Sequence, residues 1–234
     1  MALTRVSTTA NNTGATPANS ITGTSITPST DDLLVCLAAS TGYLDAHLGH
    51  ASCSWNGNAM TQKFHNHQTG SNVHRTISGW SLIVPSGATA GAVLTLTATT
   101  SNIAIALIRY TGHNATTPIG DTDSTFQDGG TGTEPSLTLT TATGDEVLDA
   151  LAFYAEFGET LTIGADQTEL SQVLVNSFLR AAFSVQPADA ASEVMSWTRS
   201  ATRAYVYGSL VVQAAAAGGS IVPILNSQRQ FAGA

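Results

Sequence analysis

Histidines two positions apart on an extended strand project from one side, so His65 and His67 in "KFHNHQ" could offer two imidazoles to a zinc ion, with His74 approaching across a hairpin. His47 and His50 in "LDAHLGH" add imidazoles without adding geometry. No Cys, Asp or Glu stands near the pair to complete a ligand set, so the expectation is an exposed polar loop and no metal. Asp121, Asp123 and Asp128 in "GDTDSTFQDGG" supply the oxygens that calcium prefers, yet they miss the register of the twelve-residue calcium loop and its closing Glu. An acid-rich solvated turn is the expected outcome.

Catalytic pairings fare no better. Glu156 and Glu159, flanking Phe157, are carboxylates of the kind glycosidases pair, but nothing in the sequence sets them face to face. There is no Gly-x-Ser-x-Gly elbow, no Gly-Lys phosphate loop and no dinucleotide fingerprint. The chain is therefore expected to be non-enzymatic and to need no cofactor. Sugar stacking is the remaining chemistry, and Trp55, Trp80 and Trp197 are the available platforms. Trp80 in "SGWSLIVP" and Trp197 in "VMSWTRS" sit within strand alternation and are expected in the core or at its edge. That leaves Trp55, beside an Asn56-Gly57 turn with Met60 close behind, as the candidate exposed glycan platform.

Composition narrows the partners. Charged residues make up 10% of the 234-residue chain, far below the roughly 25% usual for globular proteins, so Ser, Thr and amides must form the polar surface. A net charge of -8 with a single lysine, Lys63, gives no basic stripe to neutralise phosphates, and nucleic acid is not an expected partner. No run approaches the ~18 apolar residues of a membrane helix. "MALTRVSTTANNTGATPANS" carries no apolar core of a secretory signal, which points to cytosolic synthesis and to reduced cysteines. Cys36 in "LLVCLAAS" reads as a small buried apolar residue; Cys53 is ambiguous, and neither has metal spacing around it.

The elements that must position these residues are short β-type runs separated by Gly, Pro, Asp and Asn, at roughly the 8 to 12 residue spacing of sandwiches and barrels. Strands are predicted at 33–39, 51–55, 74–84, 92–98, 102–110, 136–142, 146–154, 177–185, 193–199 and 203–213. "SLTLTT" alternates with Leu137 and Leu139 inward, and "AVLTLTATT" repeats the device with Leu94 and Leu96. "NIAIALIRY" is apolar on both sides, as a central strand or one covered by a partner would be. "GDEVLDALAFYAEF" also fits a helical stripe through Val147, Leu148, Leu151 and Tyr154, with Asp145 as cap. A strand is preferred because "STDDLLVCLAAS" uses the same grammar: a hydroxyl-rich lead-in, two acids or Gly plus an acid, then a β run. The segments 78–112 and 179–213 echo one another in the same way, as two hairpin sets that would face each other in a sandwich.

Residues 1–29 have no hydrophobic period and read as an extended arm or edge segment, 30–213 as a β-sandwich domain, and 214–234 as a linker and docking arm. In that last stretch Ile221, Val222, Pro223, Ile224, Leu225, Arg229 and Phe231 form an apolar peptide too short to fold alone.

Trp55-Asn56-Gly57 in a hairpin, Tyr110-Thr111-Gly112 before a Pro loop, Gly144-Asp145 opening a strand and Ser196-Trp197 in the penultimate strand carry a resemblance. Over residues 30–213 the chain resembles a jelly-roll-like β-sandwich family of tailed-phage structural proteins and some bacterial surface proteins. The resemblance implies an all-β, jelly-roll-like antiparallel sandwich with extended N- and C-terminal arms, in which these motif residues are architectural. It implies a non-enzymatic virion protein made in the host cytoplasm, for capsid decoration or the tail. Its partners would be other copies of itself and major capsid or tail proteins, with no nucleic acid and no membrane. A glycan-binding or adhesive surface module is the alternative.

Overall fold

The computed structural model describes residues 2–14, 16, 18–23, 26–43, 49–69, 73–86, 94–127, 134–153, 159–175 and 179–216. Among them the chain forms sixteen strands and no helix, and every strand pairing is antiparallel. The fold is the expected all-β antiparallel sandwich, built twice over.

In the first half, β3 (Leu33–Tyr43) lies between β7 (Val73–Ile83) and the 102–110 stretch of β8 (Leu94–Thr111). With β6 (Thr61–Thr69) outside β7 and β1 (Thr4–Asn12) outside β8, this makes a five-stranded layer in the order β6-β7-β3-β8-β1. The beginning of β8 pairs instead with β2 (Ala18–Thr22) and with β4 (His50–Trp55), which turns into the two-residue β5 (Asn58–Ala59). In the second half, β11 (Glu146–Phe153) lies between β14 (Arg180–Pro187) and β16 (Tyr205–Val212), with β13 (Thr168–Leu174) and β9 (Ile119–Gln127) at the edges. Its small layer places β15 (Ser192–Arg199) between β10 (Ser136–Thr140) and β12 (Leu161–Ile163). Apart from the two-residue β5 the two plans coincide, with β15 and β16 doing separately what the single long β8 does.

The same turn opens the central strand of each half. Asp31 (φ 66°) and Gly144 (φ 95°) take left-handed backbone, which glycine tolerates and aspartate can adopt. The next residue's carboxylate accepts the N–H three positions back: Ser29 to Asp32 at 2.6 Å, and Ala142 to Asp145 at 3.0 Å. Arg109 Nε then reaches Asp32 at 2.6 Å, whereas Asp145 accepts the Ala214 N–H at 2.8 Å. This is the acid-bearing grammar read in the sequence, and the 146–153 segment is accordingly a strand.

Strand alternation divides the side chains of β3 between two cores. Leu33, Val35, Leu37 and Ala39 join Leu148, Ala150, Ala152, Phe183 and Val185 in a central cluster between the two five-stranded layers. Leu34, Cys36 and Ala38 join Cys53, Trp55 and Met60 between the layers of the first half. Leu139, Val147, Leu151, Met195 and Trp197 fill the second half in the same manner. Four layers therefore stack, which is why 103–108 is apolar on both sides. Across the central core β3 lies on β11, β6 on β9 and β1 on β13, the pattern of a pseudo-two-fold axis between β3 and β11.

Close approach at that core uses glycine. A Cβ on Gly208 would lie 2.5 Å from Ile77 Cδ1 and 2.8 Å from Phe64 Cε2, and one on Gly79 would overlap the Phe64 ring. The absence of both methyls makes the slot that Phe64, on an edge strand, inserts into.

Residues 4–12 and 18–22, within the segment read as an arm or edge over 1–29, are edge strands hydrogen-bonded to β8. Three expectations need correction. The runs 92–98 and 102–110 are one continuous strand, β8, because β2 and β4 pair with its beginning while β3 and β1 pair with its end. The polar strands β6, β9, β12 and β13 had no strong period and were not expected. Trp55, expected to be exposed, is fully buried, since the alternation of β4 turns Cys53 and Trp55 inward and leaves Ser52 facing out.

Each edge of both five-stranded layers carries a bulge. An unmatched residue falls at Val6 in β1, Lys63 in β6 and Leu170 in β13, while Gly120 and Asp121 of β9 stand against the single Val211. Bulges kink an edge and spoil its use as a template for another strand.

Candidate functional site

At the end of β4, Asn56 (φ 47°) and Gly57 (φ 77°) make the predicted tight turn. Trp55 packs beneath it, and the Cys53 sulfur touches that of Met60 at 3.3 Å. Trp80 and Trp197 are buried as expected, and each indole N–H is engaged: Trp80 donates to Ser78 Oγ at 2.7 Å and Trp197 to Asp149 at 2.9 Å. All three tryptophans lie inside the sandwich, so none offers a stacking face to a sugar.

The histidines gather differently from the hairpin expectation. His65 and His67 lie on β6 with ring centroids 6.0 Å apart, but His74 on β7 stands opposite Thr69. His50 also lies beside His65, with its centroid 6.5 Å away, and its two nitrogens meet Ser78 Oγ at 2.5 Å and Ser40 Oγ at 2.9 Å. Burial, aided by the neighbouring His67, lowers the His65 pKa. No group of three His, Cys, Asp or Glu side chains among the described residues is placed to hold a metal ion. His47 lies outside the described residues.

The carboxylates have mostly structural partners. Asp121 accepts the Thr140 N–H at 2.8 Å, tying β9 to β10, and Asp123 accepts that of Ser124 at 2.7 Å. Glu159 pairs with Arg203 at 2.9 Å. Asp128, Glu156 and Phe157, and the whole apolar arm from Ile221 to Phe231, lie outside the described residues. A shallow cleft of about 190 Å³ between the halves is lined by Leu3, Arg5, Gly144, Glu146 and Pro187. That is below the roughly 300 Å³ at which ligand pockets begin. Arg5 and Glu146 approach to 3.7 Å there, and burial raises the Glu146 carboxyl despite Arg5 and the Tyr110 hydroxyl.

The most elaborate polar arrangement is one that the sequence reading missed. Asp149, in the middle of β11 and wholly buried, collects five hydrogen bonds. Oδ1 accepts Ser184 N–H and Oγ, both at 2.8 Å; Oδ2 accepts the Tyr207 hydroxyl at 2.6 Å, Trp197 Nε1 at 2.9 Å and Gln167 Nε2 at 3.2 Å. Burial pushes its pKa up to about 6, against the pull of these donors. The clue was a carboxylate amid "VLDALAF", a run apolar on both sides, since a buried acid must be met by donors. The donors come from three other strands and, for Gln167, from the connection between β12 and β13, and had no local signal. Sealed from solvent, this carboxylate can organise the core but reach no outside molecule.

No protein-family model matches the chain, and searches of curated proteins and of solved structures return no match.

Proposed function

We propose that the chain is a non-enzymatic structural subunit of a tailed-phage virion, a capsid-decoration or tail-associated protein that binds other copies of itself and the underlying capsid or tail proteins. The observation that carries this reading is the outer face of the β10-β15-β12 layer. There Ser136, Thr138, Thr140, Ser192 and Thr198 surround Val194, which is 51% exposed. Such a hydroxyl-rich face, with the Glu134 carboxylate accepting from the Thr198 hydroxyl at 3.1 Å at its margin, suits attachment by shape and hydrogen bonding. The bulged edges turn assembly away from strand addition and toward faces and terminal segments. Over 30–213 the resemblance to phage structural sandwiches points the same way.

In this reading Ile221, Val222, Pro223, Ile224, Leu225, Arg229 and Phe231 grip neighbouring subunits, and multivalency turns modest contacts into stable attachment. Sedimentation of the full chain against a chain ending at Ala216 tests it. The full chain should form multi-subunit species, and the shortened chain should remain a monomer with the same circular dichroism spectrum. Equal assembly by the shortened chain removes the arm's role, and a full chain that is monomeric at every concentration and binds no capsid or tail particle overturns the reading.

A further inference from the structure

The chain has two cysteines, seventeen positions apart, and the fold brings them together. Cys36 points inward from β3 in the five-stranded layer of the first half, and Cys53 points inward from β4 in the layer packed over it. Both are buried, at 0% and 2% exposure, and they are neighbours in one apolar cluster, where Cys36 donates to the Leu37 carbonyl at 3.7 Å and Cys53 to the Met60 sulfur at 3.3 Å. Both are free thiols in the structure. A disulfide requires Cβ atoms roughly 3.5–4.5 Å apart, a separation that neighbouring cysteines facing each other from two packed layers are placed to reach.

We propose that Cys36 and Cys53 are a built site for an inter-layer disulfide, closed when the chain folds in the presence of a disulfide oxidant. Cys53, as thiolate, attacks one sulfur of an oxidised small-molecule disulfide such as oxidised glutathione and expels the first reduced thiol. Cys36, losing its proton to solvent, then attacks the Cys53 sulfur of the mixed disulfide and expels the second. Two S–H bonds are lost, one S–S bond forms between Cys36 and Cys53, and the two electrons reside on the reduced small-molecule thiols. The reaction belongs to folding and not to the finished core. Once the layers close, burial raises the Cys36 thiol well above its ordinary value and excludes the oxidant. The bond would tie β4 directly to β3, two strands otherwise linked through their common neighbour β8.

The test refolds the full chain with oxidised or with reduced glutathione, unfolds each sample in alkylating reagent, and weighs the intact chain. The oxidised sample should be two hydrogens lighter than the reduced chain, carry no alkyl group, run as a monomer without reductant, and melt higher than the reduced sample. In Cys53→Ala the two refolding conditions should give the same melting temperature. Two alkylated cysteines after oxidative refolding would overturn the proposal, as would a disulfide-linked dimer; the wild-type masses decide the matter even if the variant does not fold.

Discussion

Cys36 and Asp149 occupy the same position in the two halves of the molecule. Each is the fourth residue after the aspartate that closes the opening turn, Asp32 or Asp145, and each projects from the central strand into the core of its own half. Around Cys36 that core holds sulfur and apolar groups: Cys53, Met60 and Leu107. Around Asp149 it holds Ser184, Tyr207, Trp197 and Gln167. One backbone plan thus supports two chemistries, and the second is the more exacting, since every donor must find its acceptor.

Asp149→Asn should destabilise the chain by about 1–3 kcal/mol in urea unfolding. Hydroxyls can rotate to accept a hydrogen bond, but the Ser184 backbone N–H at Oδ1 and the Trp197 indole N–H at Oδ2 cannot. Whichever way the Asn amide is turned, its NH₂ confronts one of these fixed donors. A variant as stable as the parent would show that the network contributes nothing.

The pH dependence has a definite sign. Because the folded-state pKa of Asp149 is about 6 and its ordinary value 3.8, the folded chain binds this proton more tightly than the unfolded chain does. The stabilisation is fully present below pH 3.8 and is lost as pH rises through about 6. The loss is on the order of 3 kcal/mol from a shift of roughly two units at 1.36 kcal/mol each. Urea titrations across this range should show that component in the wild type and lack it in Asp149→Asn; the same slope in both would assign it to another group.

At the central core, Gly208→Ala should cost about 1–3 kcal/mol by overpacking, because the added methyl meets Ile77 and the Phe64 ring. Combining it with Phe64→Leu, which vacates part of the slot, should cost less than the sum of the two single changes in a thermal-unfolding cycle. Strict additivity would mean that Gly208 and Phe64 do not compete for the same space.

Much of this architecture was legible because it repeats. The lead-in to "DDLLVCLAAS" and that to "GDEVLDALAF" encode the same turn, and the echo between 78–112 and 179–213 corresponds to β7-β8 and β14-β15-β16. What escaped reading was polar and at the edges. "TQKFHNHQT" commits one large apolar side chain, Phe64, to the central core, and β9 and β13 bury none of their residues fully, so neither shows a clean period. Trp55 was misplaced although the alternation in "SCSW" already grouped it with Cys53. Asp149 was overlooked because hydrophobic pattern says how deep a side chain lies and nothing about which distant strands will bring it donors.

The face-to-face stacking of the two halves has a further consequence. In an ordinary dimer such a large apolar contact would come apart on dilution, whereas here the peptide chain holds both partners at a fixed effective concentration. The molecule behaves as a permanently fastened pair that presents two small layers in opposite directions. The separation of those two outer layers is therefore set by the packing of four sheets.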